Sequence, residues 1–372
     1  MSPEPVAAPP GPALPDPADP TRRTAAVRMP FPARLNPHAE RARQHTLQWA
    51  QGMGLLTGDT AAAEYDALRL ERLMAYFYPD ARAADLELSA DFNAWFFIFD
   101  DQFDGLLGAQ PERIRRLVAD LAATMAPEPR SPAGAPEPDG PLVRSFRDIW
   151  RRSTDGTPRY WRSRFRDHWR AYLAAHEGEA RHRNAVRLPG LEDFLAVRRD
   201  TIGVRPCLDF TERCGGYSLP DDVYRTPALR EMREITCDVV IFVNDIVSLV
   251  KELAAGDVNN SVVVHRADRG CTVEESVEHI AGLANARTAR FVRLAADLPR
   301  ALAGLRLDRT ARAHVDHYVE GMRHLMAGNL TWSLATARYD AAGVAAVSDG
   351  RRRPWGLLVA PGPAESCSPP VR

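Results

Sequence analysis

From about residue 36 to residue 338 the chain repeats apolar residues at three- and four-position spacing, and alternating β-branched runs are few. That period belongs to helices with one buried face. It predicts helices over about 36–52, 60–78, 86–103, 111–126, 142–177, 190–202, 207–217, 228–255, 272–298 and 308–338. Asn36-Pro37 reads as a cap followed by proline in the first helical turn. With no strand to host a sheet and no internal repeat, the pattern predicts one all-α domain, a helical bundle over residues 29–342.

The flanks differ. Residues 1–28 are dense in proline and alanine and poor in large apolar groups, which predicts a disordered tail. A second flexible tail is expected over 343–372, and a proline-rich loop over 127–141. No signal peptide is legible at the start, and no stretch of 18 uninterrupted apolar residues occurs. A cytoplasmic protein without a membrane span is therefore expected.

Composition narrows the partners. The 372 residues are 45 % hydrophobic, enough for a sizeable core, and the formal net charge is −1. So small a charge gives no field to attract nucleic acid. Arginines between Arg144 and Arg170, interleaved with Trp161, Phe165 and Trp169, read as the solvated side of an amphipathic helix rather than a nucleic-acid face. Five cysteines, an odd number without a CxxC pair, argue against a disulfide framework or zinc site. His314, His317 and His324 lack an HExxH pattern or a third soft ligand and read as surface histidines.

Two segments carry chemistry. In Phe96-Phe97-Ile98-Phe99-Asp100-Asp101-Gln102-Phe103-Asp104, three carboxylates follow an apolar run, and Asp100 and Asp104 share a helix face. The segment is either the solvated end of an amphipathic helix or a site for a hard divalent cation. Like charges on one face repel, and a cation would relieve that. In the second segment Asn244, Ser248 and Glu252 fall at i, i+4 and i+8 and drift only about 80° around the helix. They make a stripe of amide, hydroxyl and carboxylate oxygens, with Lys251 beside it.

Together, Asp100-Asp101-Gln102-Phe103-Asp104 and Asn244-Asp245-Ile246-Val247-Ser248-Leu249-Val250-Lys251-Glu252 resemble the DDxxD and NDxxSxxKE metal motifs of bacterial class I terpene synthases, of the sesquiterpene cyclase type. Phe31-Pro32-Ala33-Arg34-Leu35-Asn36-Pro37 looks like that family's N-terminal segment. Arg198-Arg199-Asp200-Thr201-Ile202-Gly203 looks like its RRxTxG segment, and Gly328-Asn329-Leu330-Thr331-Trp332-Ser333 with Arg338-Tyr339 like its terminal helix. The chain departs from the family at Asn259-Asn260-Ser261-Val262, where relatives often read His-Asn-Leu-Val, and at Leu325, near which many carry an aromatic.

The resemblance implies a class I bundle that uses three Mg²⁺ ions to ionise a linear isoprenoid diphosphate, most often farnesyl diphosphate, and cyclise the cation. Asp100 and Asp104 would hold two ions, and Asn244, Ser248 and Glu252 the third. Arg198, Lys251, Arg338 and Tyr339 would bind diphosphate, with Asp101 a partner of Arg198. Arg198 would be the diphosphate sensor, Thr201 the linker, and Ile202 would offer its main-chain carbonyl to the cation at a helix break. Phe96, Phe97 and Trp332 would line the contour by cation–π attraction. The family is often a homodimer. Geranyl and geranylgeranyl diphosphate are alternative substrates. A chain-elongating prenyl diphosphate synthase and a non-catalytic helical binding protein are the rival functions, and Asn244, Ser248 and Glu252 speak against elongation, whose second motif is aspartate-rich.

Overall fold

The computed structural model describes residues 20–103, 111–126, 140–183, 188–348 and 358. Among them the chain forms α-helices only. In order they are α1 (Pro20–Thr24), α2 (Ala39–Gly52), α3 (Asp59–Ala67), α4 (Glu71–Phe77), α5 (Ala83–Phe103), α6 (Pro111–Thr124), α7 (Pro141–Thr154) and α8 (Arg159–Arg183). They continue with α9 (Leu191–Thr201), α10 (Val204–Gly215), α11 (Asp221–Tyr224), α12 (Pro227–Ala255), α13 (Ser261–Arg269), α14 (Val273–Ala301), α15 (Arg309–Ala335) and α16 (Ala341–Ser348).

Two long helices are buried along most of their length. α5 packs on α2, α4, α7 and α10, and α12 packs on α9, α10, α14, α15 and α16. Their sequences explain this: α5 carries apolar residues on nearly every face, from Leu86 through Phe103, and α12 does so from Ile235 to Val250. The aromatic rings of α5 anchor the core. Trp95 stacks on Phe99 at 4.5 Å and Phe96 stacks on Trp169 of α8 at 4.7 Å. Such pairs add about 0.5–1.5 kcal/mol each beyond their buried area.

Several expected boundaries shift for identifiable reasons. The helix expected over 142–177 is two, because Asp155-Gly156-Thr157-Pro158 intervenes and Gly156 turns at φ 68°. The helix expected over 60–78 breaks at Leu68-Arg69-Leu70, where Arg69 takes φ 51°. Asn36 does not open α2, which begins at Ala39; its amide donates to the carbonyls of Tyr78 and Ala81 while its oxygen accepts from His38 N. The short helices α11 and α13 lie where no helix was expected.

The tail boundaries move as well. Residues 20–28 pack on the bundle: Arg23 donates to Val247 O at 3.2 Å, and Asn285 exchanges hydrogen bonds with Ala26 O and Arg28 N. Residues 341–348 form α16 against α12. Residues 1–19, 349–357 and 359–372, and 127–139 of the expected proline-rich loop, lie outside the described residues. His324 is buried 3.5 Å from Glu320 rather than at the surface. No described helix is long and apolar enough to cross a membrane.

Gly203 separates α9 from α10 with φ 74°. A side chain there is excluded twice, by the left-handed backbone and by Phe96 Cε1, 3.1 Å from where a Cβ would stand. Gly203→Ala should therefore lower unfolding stability by at least about 1 kcal/mol. Gly282→Ala, within α14 with nothing within 4 Å of the added Cβ, should be neutral or slightly stabilising. Denaturant titration of both variants checks the pair; equal effects would refute the argument.

Candidate active site

A cavity opens between α5, α12, α15, α4 and the α9–α10 junction. Its walls are apolar, from Leu73, Met74, Phe77, Phe96, Phe97, Val240 and Trp332. Its lining also includes Asp100 from α5, Arg198, Thr201 and Ile202 around the helix break, Asn244, Lys251 and Glu252 from α12, and Arg338 and Tyr339 beyond α15. Side chains from four distant stretches of sequence thus meet at one oily pocket. Ser248 lies on the α12 stripe between Asn244 and Glu252, buried at 1 % exposure. Asp104 lies outside the described residues.

Charge is arranged in pairs. Arg338 donates to Asp101 at 2.9 Å and lies 4.8 Å over the Phe97 ring. Arg198 donates to Asn244 Oδ1 at 3.1 Å and Asp245 Oδ1 at 3.3 Å, and sits 3.6 Å from Glu179. The expected partnership of Asp101 with Arg198 is therefore corrected: Asp101 faces the segment after α15 and takes Arg338, while Asp245 takes Arg198. Burial opposes charge on both arginines, but Asp245 and Glu179 outweigh it at Arg198, and Asp101 does so at Arg338, so both are held firmly protonated. Asn244 Nδ2 donates to Tyr339 Oη at 3.2 Å, tying the terminal pair to α12.

Some contributors escaped the sequence reading. Asn260 caps α13 through its oxygen, while its Nδ2 donates to Glu252 Oε2 and to Asp245 O, both at 2.7 Å. Asp245 also accepts from Ser261 N at 2.7 Å. Thr201 donates to Glu179. Tyr172 lines the cavity edge-on to Phe96. Pro206 has no N–H, so Ile202 O lacks the donor that would otherwise continue a helix at i+4. That signal was present in Ile202-Gly203-Val204-Arg205-Pro206; those of Asn260 and Glu179 depend on contacts between neighbouring helices, which helical period alone does not give.

The α12 stripe suits a hard cation. Ser248 Oγ is buried without a hydrogen-bond partner, and its neighbours Asn244 and Glu252 on the stripe also offer oxygen. An orphaned buried hydroxyl costs stability unless something uses it. Among the described residues no group of three or more His, Cys, Asp or Glu could hold a metal. The oxygen-only set, shared between α12 and α5, matches Mg²⁺ chemistry rather than zinc. Burial, and then Asp245, push the Glu252 carboxyl up to about 7.

A family model described as "Terpene synthase family 2, C-terminal metal binding" matches residues 91–290. The chain is 72 % identical over 364 residues to pristinol synthase of Streptomyces pristinaespiralis, covering 96 % of each. It is 33 % identical over 326 residues to a (−)-β-caryophyllene synthase ((2E,6E)-farnesyl diphosphate cyclizing) of Saccharothrix espanaensis, covering 86 % of this chain and 90 % of that one. The solved structure of germacradien-4-ol synthase from Streptomyces citricolor superposes with a TM-score of 0.73 at 32 % identity, over 83 % of this chain and 98 % of that one.

The raised carboxyl makes a pH signature. Glu252 and Glu212, the latter buried beside Arg164, are both pushed up to about 7 by burial from an ordinary 4.5. An acid raised on folding stabilises fully below its unfolded value and ceases to do so as pH climbs through its folded value. The joint contribution of these two groups to the stability of metal-free protein should therefore fall between about pH 4.5 and pH 7. Glu252→Gln, neutral at every pH, should shallow that slope; parallel melting profiles in EDTA would contradict the assignment.

Proposed function

The chain belongs to the terpene synthase family, and from that premise we propose that it converts farnesyl diphosphate to a cyclic sesquiterpene and releases inorganic diphosphate, a carbon–oxygen lyase reaction. One observation carries the reading: the oxygen donors of α5 and α12 and the donors Arg198, Lys251, Arg338 and Tyr339 share one cavity with apolar walls. Farnesyl diphosphate is the substrate named for the Saccharothrix relative.

Asp100, with Asp104, would hold two Mg²⁺ ions, and Asn244, Ser248 and Glu252 a third. When bound, Mg²⁺ neutralises diphosphate charge and eases its departure. The protein's own groups do the rest. Arg198 and Arg338 line the cavity and are held by Asp245 and Asp101, which would let them take diphosphate oxygens with little reorganisation. Lys251 and Tyr339 add an ammonium and a hydroxyl donor. The bond between C1 and the diphosphate oxygen breaks heterolytically, its electron pair leaving with diphosphate and the allylic carbon becoming a cation.

The cation then meets Phe96, Phe97 and Trp332, whose ring faces attract it by about 1–2 kcal/mol each. Thr201 and Ile202 hold the helix break beside them, where the Ile202 carbonyl, without an i+4 donor at Pro206, offers a dipole. Apolar walls keep water from quenching the cation before ring closure.

Incubation with geranyl, farnesyl and geranylgeranyl diphosphate, each with Mg²⁺ or EDTA, and gas chromatography–mass spectrometry of the extract tests this. The expected outcome is a Mg²⁺-dependent cyclic fifteen-carbon product from farnesyl diphosphate alone. Asn244→Ala and Glu252→Ala should each lower turnover by at least about 100-fold. A folded protein that makes nothing from any of the three, or turns over only with isopentenyl diphosphate, would overturn the proposal.

A further inference from the structure

Three successive backbone carbonyls in the turn between α3 and α4 are each gripped by a side chain from the cavity wall or its rim. Leu68 O accepts from Thr336 Oγ1 at 2.8 Å, Arg69 O from the Trp332 indole N–H at 3.1 Å, and Leu70 O from Asn93 Nδ2 at 2.9 Å. Asn93 and Trp332 line the cavity. Thr336 ends α15, and its hydroxyl oxygen also accepts from Arg338 N at 3.2 Å. The turn thus touches the aromatic wall directly and the Arg338-Tyr339 pair through one hydroxyl.

In a continuous helix, successive carbonyls all point along the axis and bond to their own helix. Arg69 O and Leu70 O also accept from Arg72 N at 3.1 Å and Leu73 N at 3.2 Å, so their side-chain bonds use a second lone pair, and the chain turns between Leu68 and the start of α4 to present all three carbonyls. Arg69 makes that turn at φ 51°, and it is the one described residue other than glycine with positive φ. Left-handed backbone is costly for arginine, and the surroundings impose it. Its guanidinium is fastened on the outer side, to Glu71 at 2.8 Å and Glu40 at 3.1 Å. Glu71 is 4 % exposed, so this pairing holds the turn from beneath while α5 and α15 grip it from above.

We propose that the 68–70 turn is a positioning template for the diphosphate end of the site. The left-handed conformation of Arg69 keeps the Trp332 ring and the Thr336–Arg338 segment in register over the cavity. It thereby governs both diphosphate affinity and the fidelity of cyclisation. Arg69 touches no substrate in this scheme and acts through Trp332 and Arg338.

The inference rests on the cyclase reading, and the two fail separately. Wild-type protein that makes no terpene sinks that reading, whereas active wild type with indifferent turn variants sinks this one alone. The test compares Arg69→Gly with Arg69→Val by kcat, KM for farnesyl diphosphate and product profile. Both lose the guanidinium and leave Glu71 without its partner, so both should melt lower. Only valine resists positive φ. Arg69→Gly should keep the wild-type product profile. Arg69→Val should raise KM about tenfold relative to Arg69→Gly and shift product toward acyclic or early-quenched species. Two variants with the same profile and KM, whether both like wild type or both equally impaired, would overturn the proposal. If Arg69→Val does not fold, Thr336→Val decides: it keeps the shape but removes the hydroxyl between Leu68 O and Arg338 N, and an unchanged KM there would overturn the proposal too.

Discussion

Burying charge beside an oily wall is the constraint on which this site depends. A cavity that must shelter a carbocation needs apolar faces, and a diphosphate needs charge at the same mouth. An unpaired charge so placed costs several kcal/mol. The structure meets this by giving buried charges partners: Arg338 holds Asp101, Arg198 holds Asp245, and Asn260 holds Glu252. Because each pairing is a directed hydrogen bond, the same contacts that make burial tolerable also fix Arg198, Arg338 and Glu252 in the cavity lining.

The helices carry that arrangement because they are buried on nearly all sides. α5 presents Phe96 and Phe97 to the cavity and Asp100 one turn later; Phe96 is also stacked on Trp169, and Trp95 on another face packs against Phe146. α12 presents the Asn244–Ser248–Glu252 stripe and buries Ile241, Ile246 and Leu249 elsewhere in the core. Neither helix can rotate without unpacking large side chains, so the relation between the two oxygen clusters is held by the core.

Two breaks in helical order complete the site. At Gly203 the left-handed backbone lets the chain turn against Phe96, and Pro206 leaves the Ile202 carbonyl without a helical donor. At Arg69 a second turn spreads three carbonyls to α5, α15 and Thr336. The first break is written in glycine and proline; the second is written in neither.

That contrast marks what the chain determines alone. Helical period, the i, i+4, i+8 oxygen stripe and the carboxylates after Phe99 are local properties, set by 3.6 residues per turn, and were legible. The Gly156–Pro158 interruption is equally local, yet the expected helix ran straight through it, because the apolar period continues on both sides of the break. What only the tertiary structure decided is long-range. Asp101 is matched with Arg338 across 237 positions and Arg198 with Asp245 across 47, because helix packing chooses among nearby arginines that local spacing cannot distinguish. The left-handed Arg69 belongs to the same class, held through Trp332 and Thr336 by neighbours that the chain meets only after it has folded, whereas Asn260 reaches back only eight residues to Glu252, over a bend that helical period does not show.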